Sequence, residues 1–222
     1  MSNNDTITNQ CTHKLRHAII KGEFAPGEKL KIERLKLYLN SGPTPIREAL
    51  SRLINSGLII DEANKGFRVK PLVEKEVIDI YNTFIAIEQL ALQKSIQQGS
   101  LQWEAGVAGA LHALAIIEKN SVSVDLEAWV DCNYQFHLAL INGCDSPCLL
   151  QIRENLYQQF DRFCRLSFLA NRERLQLNHQ EHIDIAEAAL ARNDVQACTL
   201  IKKHLEYSKG IVLENLKELK FL

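Results

Sequence analysis

Thr44, Arg47, Ser51 and Arg52 are the residues whose types and spacing point most directly to chemistry. Arg47 follows Thr44 by three positions and Ser51 follows Arg47 by four, so on a helix these three share one side, opposite Leu50 and Leu53. Short hydroxyls and a long guanidinium on one exposed helix side suit the major groove of duplex DNA, where they reach base edges and the phosphates beside them. Thr44 and Arg47 are the expected base-edge contacts. Arg52, Lys31 and Arg34 are placed to clamp the backbone. Lys65, Gly66 and Arg68 fall where a hairpin would meet the minor groove or its phosphates.

These residues need a helix, a turn and a hairpin to position them. A first helix is expected near Ile7 to Lys21, with Leu15, Ala18 and Ile19 on its apolar stripe, and Gly22 stops it. Lys29 to Ile32 has the length of an edge strand. A second helix covers about Glu33 to Leu39, and Asn40-Ser-Gly-Pro43 turns the chain. Thr44 reads as an N-cap with Pro45 at the first helical position, giving a helix from Pro45 to Asn55 that Gly57 ends. Leu58-Ile-Ile60 and Phe67-Arg-Val69 are β-rich and joined by a segment whose tip lies near Asn64-Lys65-Gly66, as a hairpin requires. Helix, helix, turn, helix, hairpin is the order of a winged helix-turn-helix.

After Pro71 every segment has helical period, with expected helices at 74–97, 100–118, 124–142, 146–169, 171–192 and 194–218. All five prolines lie before position 148, and so few breakers favour long helices. The fold class expected is mainly α: a winged helix-turn-helix over 1–72, then an all-α antiparallel bundle over 73–222. The two parts differ in charge. Residues 1–72 carry 12 Lys and Arg against seven Asp and Glu, a local +5, which leaves −6 on the rest of a chain whose net charge is −1. A basic front on an acidic body suits a first segment that touches phosphate.

With 46% apolar residues, the chain has material for a core. The polar first ten residues carry no secretory pattern, and no stretch approaches the roughly 18 apolar residues of a membrane span, so a cytoplasmic location is expected. Six scattered cysteines, Cys144 and Cys148 among them, read as small core residues in a reducing compartment.

Gly22-Glu-Phe-Ala-Pro-Gly-Glu-Lys-Leu30, Pro43-Thr-Pro-Ile-Arg-Glu-Ala-Leu-Ser-Arg-Leu53 and Asn64-Lys-Gly-Phe-Arg-Val69 resemble the GntR family of transcription regulators. That family commonly carries Arg just before the Thr-Pro pair and a basic residue early in the second helix. Pro43 and Glu33 stand there in this chain, so a base-reading contact is either lost or moved, with Arg34 the candidate for the second. Residues 74–218 resemble the FCD-type C-terminal domain of the FadR branch, through Asn133-Tyr-Gln-Phe-His137, Glu181-His182 and Lys203-His-Leu205. The likeness extends to repressors of carbon-starvation and small-acid catabolism genes.

The FCD resemblance implies a divalent metal ion, Zn or Ni, held by Asn133, His137, His182 and His204, with Asn133 where the family has Asp. The chemistry is coherent: Asn133 and His137 are one turn apart, and three imidazoles converging in a bundle suit such an ion. It implies a small carboxylate effector as well. Similar proteins often carry Arg where Phe84 stands, so Arg162 or Arg165 on the 146–169 segment are the expected anion receivers. One winged domain makes few DNA contacts, so a homodimer on a pseudo-palindromic, double-stranded operator is expected. The rival reading is a metal-dependent enzyme acting on a small organic acid. It lacks a nucleophile motif or an H-E-x-x-H pattern, and Glu181 is its sole nearby base.

Overall fold

Thr6 opens the first helix, its hydroxyl accepting from the backbone of Asn9 at 3.2 Å. From there the computed structural model describes residues 6–63, 65–119, 125–169 and 179–222. The described elements are α1 (Ile7–Ile20), α2 (Ile32–Leu39), α3 (Pro43–Asn55), β1 (Ile59–Glu62), β2 (Gly66–Val69), α4 (Glu74–Gln98), α5 (Leu101–Lys119), α6 (Leu126–Ile141), α7 (Pro147–Phe168), α8 (His179–Leu190) and α9 (Asp194–Glu218). The strands pair antiparallel, Ile59 with Val69 through Glu62 with Gly66. No helix among the described residues is long and apolar enough to cross a membrane.

Two local expectations are corrected. Gly42, not Thr44, caps α3, and Pro43 takes its first position. The first-turn N–H groups of a helix have no partner within it, so Pro43 and Pro45 both fit there without losing a bond, and Thr44 becomes a first-turn residue. Lys29 to Ile32 is not a strand. Lys29 makes one antiparallel bridge to Arg68, and Ile32 already begins α2. The hairpin tip at Asn64, the joint at Asn120 and the expected helical start at 171–178 lie outside the described residues.

Chain contacts define two compact units. The first comprises Met1–Ile80, Asn155–Ala170 and Ile211–Leu222. Its winged domain closes over one apolar cluster in which Leu15 and Ile19 of α1, Leu35 and Leu39 of α2, Ile46, Leu50 and Leu53 of α3, and Val69 of β2 are buried. Gly57 makes the turn out of α3. At φ +72° it lets Leu58 N–H reach back to the Leu53 carbonyl at 3.2 Å, closing the helix end. The linker after β2 is held inside this unit, where the Arg162 guanidinium of α7 donates to the Lys70 carbonyl at 2.6 Å and Lys70 pairs with Glu76.

The second unit comprises Tyr81–Glu154 and Asn171–Gly210. There α5 packs on α6 and on α8. Trp103, Val107 and Leu114 form the buried side of α5, Phe136, Leu140 and Ile141 that of α6, and Ile185, Ala186 and Ala189 that of α8. The Trp103 indole donates to the Leu140 carbonyl at 3.2 Å.

Candidate DNA face and histidine centre

The periodicity that buries Ile46, Ala49, Leu50 and Leu53 leaves the opposite side of α3 to solvent. Thr44, Arg47, Ser51 and Arg52 are all exposed there. Arg47 has no hydrogen bond or ion pair among the described residues, so its guanidinium is uncommitted. Arg52 donates to the Asn9 side chain at 2.6 Å, and Glu48 accepts from Thr8 at 2.8 Å, which ties the start of α1 to the rim of this face.

The flanking cations are more engaged. Lys31 is exposed at the start of α2. Arg34 pairs with Glu28 and lies over the Phe24 ring, 4.7 Å from its centroid. Arg68 donates to Glu62 at 3.2 Å and to the Gly27 carbonyl at 3.0 Å, bracing the wing on the turn before α2. Lys65 stands 3.6 Å from Glu62 and stays exposed. Gly66, at φ +80°, begins β2 in a backbone conformation that side chains strain to adopt.

The second cluster lies inside the second unit. His137 of α6, His182 of α8 and His204 of α9 are all buried, and one ring nitrogen from each falls within 4.8 Å of the others. Ring centroids are 4.9 Å apart for His182 and His204, 5.3 Å for His137 and His204, and 5.7 Å for His137 and His182. Phe136 walls the site, its ring set edge-on to both His137 and His182. Burial holds His137 well below the ordinary histidine value, with the neighbouring His204, His182 and Arg153 acting in the same direction. Burial also lowers His182, against the opposing pull of Glu118. Both rings are therefore neutral at pH 7, the form that ligates a metal.

Outward-facing nitrogens are held from behind. His182 Nδ1 lies 3.1 Å from Glu118 and His204 Nδ1 2.8 Å from Glu181. That leaves the Nε2 atoms for the interior, and His182 Nε2 is buried with no hydrogen-bond partner among the described residues. Asn133 Oδ1, one turn before His137, is equally buried and unpartnered. Three converging imidazoles, one with an orphaned lone pair, are a donor set that fits a divalent ion, and Asn133 stands one turn before His137 on α6.

Both expected anion receivers belong to the first unit. Arg162 is buried in the first unit on the Lys70 carbonyl, and burial pushes its guanidinium down to about 10, Glu76 opposing. Arg165 pairs with Asp161 of its own helix at 3.0 Å. A buried cation of the second unit is Arg153, 2.8 Å from Glu88 and over the rings of Phe84 and Tyr134. Sequence reasoning also missed Glu118. Its signal was present: positions 103, 107, 114 and 118 fall on one side of α5, so a carboxylate continues a stripe of Trp103, Val107 and Leu114.

Comparison with known proteins agrees with both halves. The model of the bacterial regulatory proteins of the gntR family matches residues 7–69, and that of the FCD domain matches residues 79–207. The HTH-type transcriptional regulator BphR of Paraburkholderia xenovorans is 36% identical over 204 residues, 90% of this chain and 82% of that one. The HTH-type transcriptional repressor GlaR of Escherichia coli is 35% identical over 198 residues, 86% of this chain and 89% of that one. The fold is that of E. coli McbR/YncC, with a TM-score of 0.79 at 20% identity over 94% of this chain and 98% of that one. These matches are to regulators of transcription and not to enzymes, which sets aside the reading of the histidines as a catalytic centre.

Proposed function

The chain belongs to the GntR family of bacterial regulatory proteins and carries an FCD domain, and from that premise we propose a cytoplasmic repressor that binds a pseudo-palindromic operator as a homodimer and responds to a small carboxylate. In this reading residues 1–72 hold the DNA and residues 73–222 sense and dimerise. The observation that carries it is the face of α3: Thr44, Arg47 and Ser51 exposed together on a helix whose other side anchors the winged core. Arg47, uncommitted within the fold, is the base reader. Lys31, Arg34, Arg52, Lys65, Gly66 and Arg68 position the domain on the backbone. The relative GlaR, named a repressor, supports the sign of regulation.

His137, His182 and His204, with Asn133, would hold a Zn or Ni ion. Bound there, the ion would offer open positions to a carboxylate oxygen of the effector. Asn133 contributes a neutral oxygen, so the chain supplies no negative charge of its own among these four. Arg162 holds the linker carbonyl of Lys70, and Glu76 of α4 holds the Lys70 side chain, so a shift of α4 or α7 moves the strand-to-helix linker. An effector that favours one arrangement of those helices favours one spacing of two α3 helices, and only that difference in affinity changes operator binding.

Selection of duplexes from a random pool by the purified chain tests the proposal. An inverted repeat, bound by two chains, is the expected product. A pool that gains no consensus overturns it.

A further inference from the structure

Glu118 lies at the end of α5 with its side chain 2% exposed, a placement that disfavours a carboxylate unless donors surround it. Three do. The Trp129 indole donates to Oε1 at 3.2 Å, His182 Nδ1 lies 3.1 Å from the same oxygen, and His179 Nδ1 lies 2.8 Å from Oε2. Three N–H donors on two oxygens is the environment of an ionised carboxylate. An indole N–H can only donate, so Oε1 is an acceptor. An ionised carboxylate accepts at both oxygens, so the proton between Glu118 and His182 belongs to the imidazole Nδ1. Neutral His182 has one ring proton. With that proton on Nδ1, Nε2 is a bare lone pair, and it is this atom that is buried and unpartnered.

We propose that Glu118 is the positioning residue of the histidine centre: it fixes His182 in the Nδ1–H tautomer and supplies, from behind the ring, negative charge that Asn133 does not supply in front. The inference rests on the metal reading above for its consequence, but not for its geometry. Glu181 does the same for His204 at 2.8 Å from a more exposed position, its side chain 33% exposed. The charge balance of the centre thus lies one layer out, in carboxylates that orient imidazoles and raise their basicity.

Two measurements on the full chain test this. In the chelator-stripped protein, ring nitrogen shifts of His182 should report protonated Nδ1 and bare Nε2, and Glu118→Gln should shift that population toward the other tautomer. Competition titration with Zn alone should give a Kd raised about 10–100-fold in Glu118→Gln, the usual effect of removing such a carboxylate. A parent chain with His182 protonated at Nε2 overturns the proposal without any variant. So does a glutamine variant with parental tautomer and parental Zn affinity. A parent chain that binds no Zn instead defeats the metal reading, and the tautomer then decides the role of Glu118 by itself.

Discussion

Arg153 and Glu88 face each other in the interior of the second unit, Nε to Oε1 at 2.8 Å, with both side chains 1% exposed. The guanidinium also lies over Phe84 and Tyr134, so Phe84 of α4 is an aromatic seat for a cation from α7. Removing Arg153 leaves Glu88 buried without its counter-charge, and removing Glu88 leaves Arg153 only the more distant carboxylate of Glu154 at 3.8 Å. Glu88→Leu should destabilise the protein by about 3–5 kcal/mol, and Glu88→Leu with Arg153→Met together by much less, because an apolar pair carries no stranded charge. Urea unfolding of the two single variants and the double variant checks this; additive losses would mean that the two side chains act independently.

The neutral histidines predict an acid-sensitive fold. His137 and His182 have folded values below the ordinary 6.5, so the unfolded chain binds more protons than the folded one once the pH drops below that value. Stability from this source is complete above about pH 6.5 and falls as the pH falls below it. Glu118, also lowered, adds a second loss below its ordinary 4.5, while Glu88, which burial raises, works in the opposite direction. His137→Phe isolates the histidine contribution. In chelator-stripped protein the variant should lose less stability between pH 7 and 5.5 than the parent, measured by urea midpoints.

Asn133→Asp should tighten Zn binding relative to the parent, since a charged oxygen would replace a neutral one whose lone pair is already buried and unpartnered. Isothermal titration with Zn measures it. A weaker complex would place Asn133 outside the ligand set.

Gly57 sits at φ +72°, and a Cβ built there would come within 2.8 Å of the Gln159 side chain. Gly57→Ala should cost about 1–2 kcal/mol from the left-handed backbone alone, with Gln159 swinging aside. Thermal or urea unfolding reads the loss. No loss would mean that the turn after α3 relaxes freely.

Much of this was legible in the sequence because it is local. The Thr-Pro-Ile-Arg run, the alternation of Ile46, Ala49, Leu50 and Leu53, and the glycine after α3 all act within a few residues, and the helix they imply is present with its polar side exposed. The six-helix order was equally readable from periodicity and sparse breakers. The cap of α3 was misplaced because two prolines fit a first turn as well as one. What escaped are pairings between segments. Glu118 meets His179 and His182 more than 60 positions later, Arg162 meets the linker, and Arg34 and Arg68 are engaged by Glu28 and Glu62. The first two need the tertiary arrangement; the Arg34 and Arg68 pairs close over only six positions each, across a turn whose geometry the sequence does not spell out. Only the lone carboxylate on the apolar stripe of α5 advertised itself.

The affinity ratio between a selected operator and a scrambled duplex, for the parent chain and for Arg47→Ala, tests the central claim most directly. The parent should discriminate strongly, and the variant should lose about 1–3 kcal/mol of that discrimination, roughly 5–150-fold, while non-specific binding falls little. A parental ratio near one, or a ratio unchanged by the substitution, would contradict the reading of α3 as the element that reads DNA.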